Sequence, residues 1–206
     1  MRKIAESTVR RLSLYLRFLE DFEEQGIDTV SSEALATRGH TTSAQVRKDL
    51  SFFGSFGKRG LGYSVPELES RIRDILGLGR AYRVAVIGAG NIGAALVHFG
   101  GFDRHGFHVV SLYDIDPKKI GTERNGLIVR DQTELEADMA EELADIAIVV
   151  TPSAVAQELV DRLVATGVKA FLNFAPVQLK VPDDVVVKTV SLALELEALS
   201  YGLRNR

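Results

Sequence analysis

Six residues with a characteristic glycine spacing, Gly88-Ala89-Gly90-Asn91-Ile92-Gly93, are the part of this chain best suited to binding a ligand. The first glycine permits a tight turn, the second lets the backbone approach a pyrophosphate, and the third lets a helix pack closely on a strand. Asp114 follows 24 residues after Gly90, where a carboxylate can accept hydrogen bonds from ribose hydroxyls. The spacing therefore predicts a dinucleotide site; the alternative is a glycine turn that binds nothing.

The acidic residues around Asp114 indicate which dinucleotide this turn would bind. The carboxylates of Asp114 and Asp116 repel a 2′-phosphate, which favours NAD(H) over NADP(H). Lys118 and Lys119 favour the opposite choice, and we interpret them as residues of a solvated turn. Residues at the carboxyl ends of later strands are expected to line the rest of the pocket. These residues are Thr151, Pro152, Asn173 and Phe174.

A second group of residues is basic. Residues 1–80 carry 13 basic and 11 acidic side chains, whereas residues 81–206 carry 12 and 17, so the net charge of -3 conceals a positive N-terminal part. Between residues 38 and 63, Asp49 is the one acidic residue among five cations. The five are Arg38, Arg47, Lys48, Lys58 and Arg59. This distribution predicts a surface for DNA phosphates; the alternative is a solvated basic face.

Two short helices are predicted to present these cations. The first spans residues 33–38 and ends at Gly39, and the second follows Thr42 and Gln45, which have the spacing of a capping box. Two short helices across a glycine turn indicate a helix-turn-helix. The apolar residues of the second helix recur at helical spacing, so its outward face consists of Ser43, Arg47, Lys48 and Ser51.

A longer helix and a hairpin are predicted on either side of this pair. The longer helix begins near a cap at Ser7 or Thr8 and ends at Gly26. The hairpin has its tip between Gly57 and Gly60, which tolerate positive φ, and it carries Lys58 and Arg59 there. A helix-turn-helix followed by such a hairpin is a winged helix.

From residue 83 the chain alternates short apolar strands with helices. Strands are predicted at residues 83–87, 108–113, 127–129, 146–150, 170–174 and 185–190, with helices at 153–165 and 192–203. This alternation implies right-handed crossovers and a doubly wound parallel sheet. The sequence thus predicts an α/β protein with a winged-helix domain at 1–79, a Rossmann-like domain at 80–190 and a C-terminal helix at 191–206.

Composition excludes several classes of function. Cysteine is absent, which rules out disulfides, thiolate catalysis and cysteine-based metal sites, so any response to redox state must come from a bound cofactor. No metal site is predicted. There is no run of eighteen apolar residues and no charged-then-apolar leader, which predicts a cytoplasmic protein that makes no membrane contact.

An enzymatic role is not predicted, because hydride transfer needs a proton donor or base beside the nicotinamide. Of the four histidines, His40, His98, His105 and His108, the last three cluster near the fingerprint helix and the second strand, away from the strand ends where a substrate would bind. No catalytic residue is therefore assigned. Two alternatives remain open: a small NAD-dependent dehydrogenase, and a regulator that binds coenzyme A or ADP and whose winged helix binds protein.

Four segments of the chain form a recognisable set. The segment at 45–63, from Gln45-Val46-Arg47-Lys48-Asp49-Leu50 to Lys58-Arg59-Gly60-Leu61-Gly62-Tyr63, is the most specific. The others are residues 11–17, the glycine turn at 88–93, and Asn173-Phe174-Ala175-Pro176-Val177. Together these segments are spread over nearly the whole chain, and they resemble the Rex family of redox-sensing transcriptional repressors.

This resemblance implies a homodimer that binds operator DNA and leaves it when NADH rises, with its C-terminal helix swapped onto the partner. It also implies that Arg47 and Lys48 read bases in the major groove and that Lys58 and Arg59 enter the minor groove. Thr8, Arg11 and the backbone near Ser43 would contact phosphates.

One departure from the family concerns its switch. The resemblance implies an aspartate at the start of the swapped helix that contacts a tyrosine of the partner and an arginine of the first helix. Here Arg17 is present, but Ser191 and Phe99 occupy the other two places. The usual ion pair is therefore not expected in this chain.

Overall fold

The structure is a computed structural model that describes residues 4–54, 57 and 61–205. Its contacts divide the chain into two units, with the boundary between Arg80 and Ala81. The N-terminal unit encloses one buried apolar cluster, and the C-terminal unit encloses two others. Within the described ranges, no helix combines the length and the apolar character that crossing a bilayer requires.

The N-terminal unit is built from helices and two very short strands. In chain order its described elements are α1 (Glu6–Glu24), β1 (Thr29–Val30), α2 (Ser32–Arg38), α3 (Ser43–Ser51), β2 (Tyr63–Ser64) and α4 (Val65–Ile75).

Helix α1 starts earlier than its sequence suggested. It begins at Glu6 after Ala5, and no side chain caps it. The hydroxyl of Thr8, one of the two predicted caps, is buried and accepts a hydrogen bond from Arg11. The predicted caps are therefore wrong. Of the apolar residues that recur at helical spacing in α1, Leu12, Leu16, Leu19 and Phe22 are buried, whereas Val9 is exposed.

Helices α2 and α3 form the predicted helix-turn-helix. Ser31 caps α2 by accepting a hydrogen bond from the Ala34 N–H, and Gly39 ends it. Thr42 caps α3 by accepting from the Gln45 N–H at 3.1 Å. The second half of the predicted capping box is absent, because the Gln45 side chain instead donates to Asp49.

Strand β2 pairs antiparallel with β1, placing Tyr63 opposite Val30. Gly57 has a φ of +78°, in agreement with the prediction of a turn there. Most of the predicted hairpin tip, including Lys58, Arg59 and Gly60, lies outside the described residues. The observed ladder therefore joins the start of α4 to the α1–α2 connection.

The C-terminal unit alternates strands and helices. Its described elements are β3 (Tyr82–Ile87), α5 (Asn91–Val97), α6 (Gly101–Arg104), β4 (Phe107–Asp114), β5 (Glu123–Arg124), β6 (Leu127–Asp131), a short 3₁₀ turn (Gln132–Glu134), α7 (Leu135–Glu141), β7 (Ile146–Val149), α8 (Ser153–Ala165), β8 (Ala170–Asn173), β9 (Val186–Thr189) and α9 (Leu192–Arg204).

The strands of this unit form one sheet in the order β5-β6-β4-β3-β7-β8-β9. All neighbours are parallel except β5 and β6. Without β5, the order counted along the chain is 3-2-1-4-5-6, which is that of the doubly wound dinucleotide-binding fold. The direction of winding reverses between β3 and β7, and ligands of such sheets bind at the carboxyl ends of the strands at that point.

Strand β3 is buried on both faces of the sheet. Val84 and Val86 pack into the cluster on one face, and Ala85 and Ile87 pack into the cluster on the other. The sequence has near-continuous apolar character here because helices cover both sides of a parallel sheet. A rigid central strand thus carries the glycine turn at its carboxyl end.

Helix α9 has a different environment. Ser191 caps it by accepting a hydrogen bond from the Leu194 N–H, and every described residue of the helix is exposed. Its large apolar side chains are between 63% and 72% exposed. They are Leu192, Leu194, Leu196, Leu199, Tyr201 and Leu203.

Candidate nucleotide site and nucleic-acid interface

The glycine turn connects β3 to α5 at the point where the winding reverses. Gly88 has a φ of +109°, and a Cβ there would lie 2.9 Å from the carbonyl oxygen of Val150. A Cβ at Gly93 would overlap the carbonyl oxygen of Gly88. A Cβ at Gly90 would meet nothing within 4 Å. Two glycines are therefore required by the fold itself, whereas the third leaves space on the side where a ligand would approach.

The middle residues of the turn differ in accessibility. Ala89 is buried, and its N–H donates to Asp114 Oδ2 at 2.7 Å. Asn91 and Ile92, at the start of α5, are exposed. This turn therefore offers backbone and side-chain groups to a ligand on one side and is held to the sheet on the other.

Asp114 lies at the carboxyl end of β4, beside the turn. Its Oδ2 also accepts from Lys119 Nζ at 3.0 Å, and its Oδ1 accepts from the Asp116 N–H at 2.9 Å. Burial raises the pKa of Asp114, but the hydrogen bonds from Asp116, Lys119 and Ala89 outweigh it, so the pKa is below its ordinary value. The interpretation of Lys119 as a solvated turn residue is wrong, because this lysine forms an ion pair with the predicted ribose-binding carboxylate.

The loop after β7 lies next to the glycine turn. Val150 Cγ2 lies 3.3 Å from the position that a Cβ would take at Gly93, and Thr151 is the next residue after Val150. The Thr151 hydroxyl is buried and has no hydrogen-bond partner among the described residues. Pro152 is exposed and precedes α8. Thr151 thus has an unused hydroxyl at the point where the winding reverses.

Asn173, predicted as a cofactor-binding residue, has a different role in the structure. Its side chain is fully buried at the end of β8. Its Nδ2 donates to the carbonyl oxygens of Ala175 and Val177 at 3.1 and 3.0 Å, and its Oδ1 accepts from the Ala175 N–H at 2.9 Å. This corrects the prediction: the Asn173 side chain is not exposed to a ligand, and instead shapes the loop that carries half-buried Phe174.

Replacing Asn173 with aspartate is expected to lower the free energy of unfolding by about 3 kcal/mol, because two buried carbonyl oxygens lose their donors and face a carboxylate instead. Urea unfolding measures the change. Gln178→Glu, an exposed change in the same loop, should stay within about 0.5 kcal/mol of the wild-type value. If the two variants proved equally stable, Asn173 would have no such role.

The outward face of α3 carries the cations predicted to contact DNA. Arg47 and Lys48 are exposed, and Ser43 is half-buried at the start of the helix. Arg47 Nη1 donates to the hydroxyl of Ser32 at 3.0 Å, so α2 orients this guanidinium. Lys58 and Arg59 lie outside the described residues, and their position on a wing stays a prediction.

Arg11 and Thr8 are not placed as a phosphate-binding pair would be. The Arg11 guanidinium donates from Nε and Nη2 to the two oxygens of Asp49, at 2.6 and 2.7 Å. Thr8 is 5% exposed. The structure thus corrects the predicted phosphate contacts: Arg11 neutralises a buried carboxylate of α3, and Thr8 accepts a hydrogen bond from that arginine.

The positions of the family's switch residues are accessible in the structure. Phe99 is 58% exposed, and its ring forms a T-shaped pair with that of Phe102 at a centroid distance of 5.1 Å. Arg17 is exposed on α1. The Ser191 hydroxyl is the cap of α9. Ser191 supplies no carboxylate at the position where the resemblance implies an aspartate.

Comparison with known proteins assigns the chain to a family. A family model described as CoA binding domain matches residues 80–177, and one described as putative DNA-binding protein N-terminus matches residues 3–51. The redox-sensing transcriptional repressor Rex of Carboxydothermus hydrogenoformans is 46% identical over 203 residues, covering 98% of both chains. This chain belongs to the Rex family.

Solved Rex-family structures support the same assignment. RSP in complex with beta-NAD+ and operator DNA is 38% identical, with a TM-score of 0.93, and the match covers 98% of this chain and 94% of that one. RSP in complex with beta-NADH is 36% identical, with a TM-score of 0.89 and coverages of 98% and 95%. RSP is itself a Rex-family repressor, so the predicted joining of a DNA-binding unit to a Rossmann-like unit is confirmed. Rex proteins are transcriptional repressors, and the prediction that this chain is not an enzyme agrees with them.

Proposed function

We propose that this Rex-family chain is a cytoplasmic, homodimeric transcriptional repressor that binds operator DNA and releases it when NADH accumulates. The observation that carries the proposal is the match along 98% of the chain to a Rex-family repressor solved with operator DNA and beta-NAD+. The same protein was solved with beta-NADH. The chain would have three functional parts: a winged helix at 1–79, a Rossmann domain at 80–190 and a dimerisation helix at 191–206.

The residues proposed to bind the dinucleotide surround the glycine turn. The space around Gly90 lets a pyrophosphate approach the backbone, and the start of α5 offers N–H groups to it. These residues are Gly88, Ala89, Gly90, Asn91, Ile92, Gly93, Asp114, Thr151, Pro152 and Phe174. Asp114 would accept from the adenosine ribose, and Lys119 would hold that carboxylate in place.

Selectivity for the reduced cofactor would come from charge. The nicotinamide of NAD+ carries a positive charge that NADH lacks, and burying it beside apolar Phe174 and Pro152 costs free energy. A ligand can shift the population that binds DNA only if it binds one conformation of the protein more tightly than the other. NADH and NAD+ would differ in the size of that preference.

The DNA contacts are proposed on the outward side of the N-terminal unit. Arg47 and Lys48 would read base edges in the major groove, Lys58 and Arg59 would enter the minor groove, and the Ser43 backbone would contact a phosphate. A dimer must place its two winged helices about 34–36 Å apart to reach successive half-sites. A change in that spacing on NADH binding would release the DNA.

The switch is proposed to work without the family's cross-dimer ion pair. Ser191 and Phe99 cannot form it, so the effector would act through other contacts of α9, whose apolar side chains are exposed in the single chain. We propose that α9 packs on the partner as a swapped helix, which would cover those side chains.

The experiment that tests the proposal is an NADH titration with and without a DNA duplex. The duplex is the sequence that the wild-type dimer selects from a random pool. Binding free energies are reciprocal, so if NADH weakens DNA binding by some factor, DNA must weaken NADH binding by the same factor. NADH affinity is expected to fall at least tenfold in the presence of the duplex, and NAD+ affinity is expected to change less.

Two outcomes would contradict the proposal. Equal NADH affinity with and without the duplex would remove the redox response. DNA release by coenzyme A but not by NADH would favour the alternative regulator that binds coenzyme A or ADP. Coenzyme A is included in the test because residues 80–177 match a family model described as CoA binding domain.

A further inference from the structure

Asp49 is the feature of α3 that the proposed DNA contacts leave unexplained. Its side chain is fully buried, one residue after Lys48 and two after Arg47, on the opposite side of the helix. Four donors surround it: Arg11 Nε at 2.6 Å, Arg11 Nη2 at 2.7 Å, Gln45 Nε2 at 2.8 Å and the Tyr15 hydroxyl at 3.1 Å. We call Arg11, Tyr15, Gln45 and Asp49 the Asp49 network.

Stability alone does not account for a buried charge at this place. Removing a carboxylate and a guanidinium from water costs free energy that their attraction repays only in part, and apolar residues of similar volume often serve as well or better. Its neighbours Val46 and Leu50 are already buried and anchor α3 to the core. A role that apolar packing does not supply would explain the network better than stability alone.

The network adds directional hydrogen bonds between α1 and α3. Apolar contacts are non-directional, so Val46 and Leu50 fix how deeply α3 is buried but restrict its rotation about the helix axis less strictly. An arginine guanidinium donates two parallel hydrogen bonds in one plane, so it binds a carboxylate in one orientation. Arg11 and Tyr15 lie one turn apart on α1, so both hold Asp49 from the same helix.

We propose that Asp49 is a positioning residue that fixes the rotation of α3 relative to α1, and thereby the direction in which Arg47 and Lys48 meet the bases. This inference rests on the proposed DNA-binding function. The carboxylate keeps its charge: burial raises the pKa of Asp49, but hydrogen bonds from Arg11, Gln45 and Tyr15 outweigh it, leaving the pKa below its ordinary value.

The decisive variant replaces the network with apolar residues: Arg11→Met, Tyr15→Phe and Asp49→Leu together. It leaves no buried charge without a partner, so it is expected to fold, whereas Arg11→Met alone would strand Asp49 and destabilise the unit. Its preference for the duplex selected by wild-type protein over random DNA is expected to fall at least tenfold, with thermal stability retained. A wild-type preference in this variant would overturn the inference.

A second measurement does not depend on DNA. The chain has no cysteine, so Ser13→Cys on α1 and Ser51→Cys on α3, both exposed, give one pair of spin labels in each chain. Labelled protein diluted with unlabelled protein reports the distance within one chain. A narrow distribution in the otherwise wild-type protein and a broad or shifted one in the triple variant are expected. Identical distributions would overturn the inference even if DNA binding fell.

The control is Glu20→Leu, which removes an ion pair at 2.6 Å between α1 and Arg73 of α4 while Arg73 keeps its pair with Glu69. It should change neither the preference nor the distance. If wild-type protein selects no DNA sequence at all, the proposed function fails, and the spin-label distances still decide whether Asp49 orients α3.

Discussion

Glutamate at both Leu196 and Leu199 is expected to convert the proposed dimer into a monomer. The two leucines lie in the middle of an apolar stripe along α9, formed by Leu192, Leu196, Leu199 and Leu203, and each is 65% exposed in the single chain. Burying one leucine is worth about 1.5–3 kcal/mol. Since a dimer would lose four buried leucines, its dissociation constant should rise by at least about 10⁴-fold, and the unpaired carboxylates would add to this. Sedimentation velocity over a range of protein concentrations measures the change.

A loss of operator binding is expected to accompany the loss of the dimer, because one winged helix reaches only one half-site. Ser200→Glu is the matched control, since it adds a carboxylate to α9 on the polar side with Glu197 and Arg204. It should leave the dimer intact. A double variant that still sedimented as a dimer would show that the exposed leucines of α9 do not form the interface.

The elements that sequence predicted well are those whose residues repeat a local pattern. Helix α8 occupies the predicted residues, because its apolar positions recur at helical spacing after Pro152. The cap at Thr42 was identified from the residue type and position alone. Strand β3 and its glycine turn follow from a short apolar run that ends in a fingerprint. In each case the deciding interactions lie within a few residues of one another.

The elements that sequence missed are either too short to show a pattern or depend on partners far along the chain. Strand β1 is two residues long and exists because β2 pairs with it. Helix α6 and strand β5 are too short for a period to be recognised. The pairing of Arg11 with Asp49 spans 38 residues. One local signal was available for it: Asp49 is an acidic residue on the apolar side of α3, between Val46 and Leu50.

At the candidate site, too, sequence predicted local features correctly and missed those that depend on the tertiary structure. Residue types and spacing correctly identified which segments form the turn at the carboxyl ends of the strands. They did not distinguish a side chain that faces a ligand from one that holds a loop, and Asn173 was assigned to the wrong class for that reason. The ion pair of Lys119 with Asp114 was missed because a lysine five residues after an aspartate has no distinctive pattern.

Gly90→Ala is expected to abolish most NADH binding without affecting folding. The backbone of Gly90, with φ of −74° and ψ of −170°, is one that alanine adopts readily, and the new methyl group meets no atom within 4 Å. Stability should therefore stay within about 0.5 kcal/mol of the wild-type value. The methyl group occupies the side on which a pyrophosphate would approach, so NADH affinity should fall about 100-fold, equivalent to ~2.7 kcal/mol. NADH fluorescence and urea unfolding give the two quantities.

Gly93→Ala provides the comparison, because the same added methyl group acts by a different route. Its Cβ would overlap the Gly88 carbonyl oxygen, so α5 must move away from β3, and overpacking of this kind costs about 1–3 kcal/mol. Both stability and NADH affinity should therefore fall. Of the two variants, only Gly90→Ala is expected to change NADH affinity without changing stability. A stable Gly90→Ala protein with wild-type NADH affinity would mean that the ligand does not lie over this turn. The redox response would then need another site.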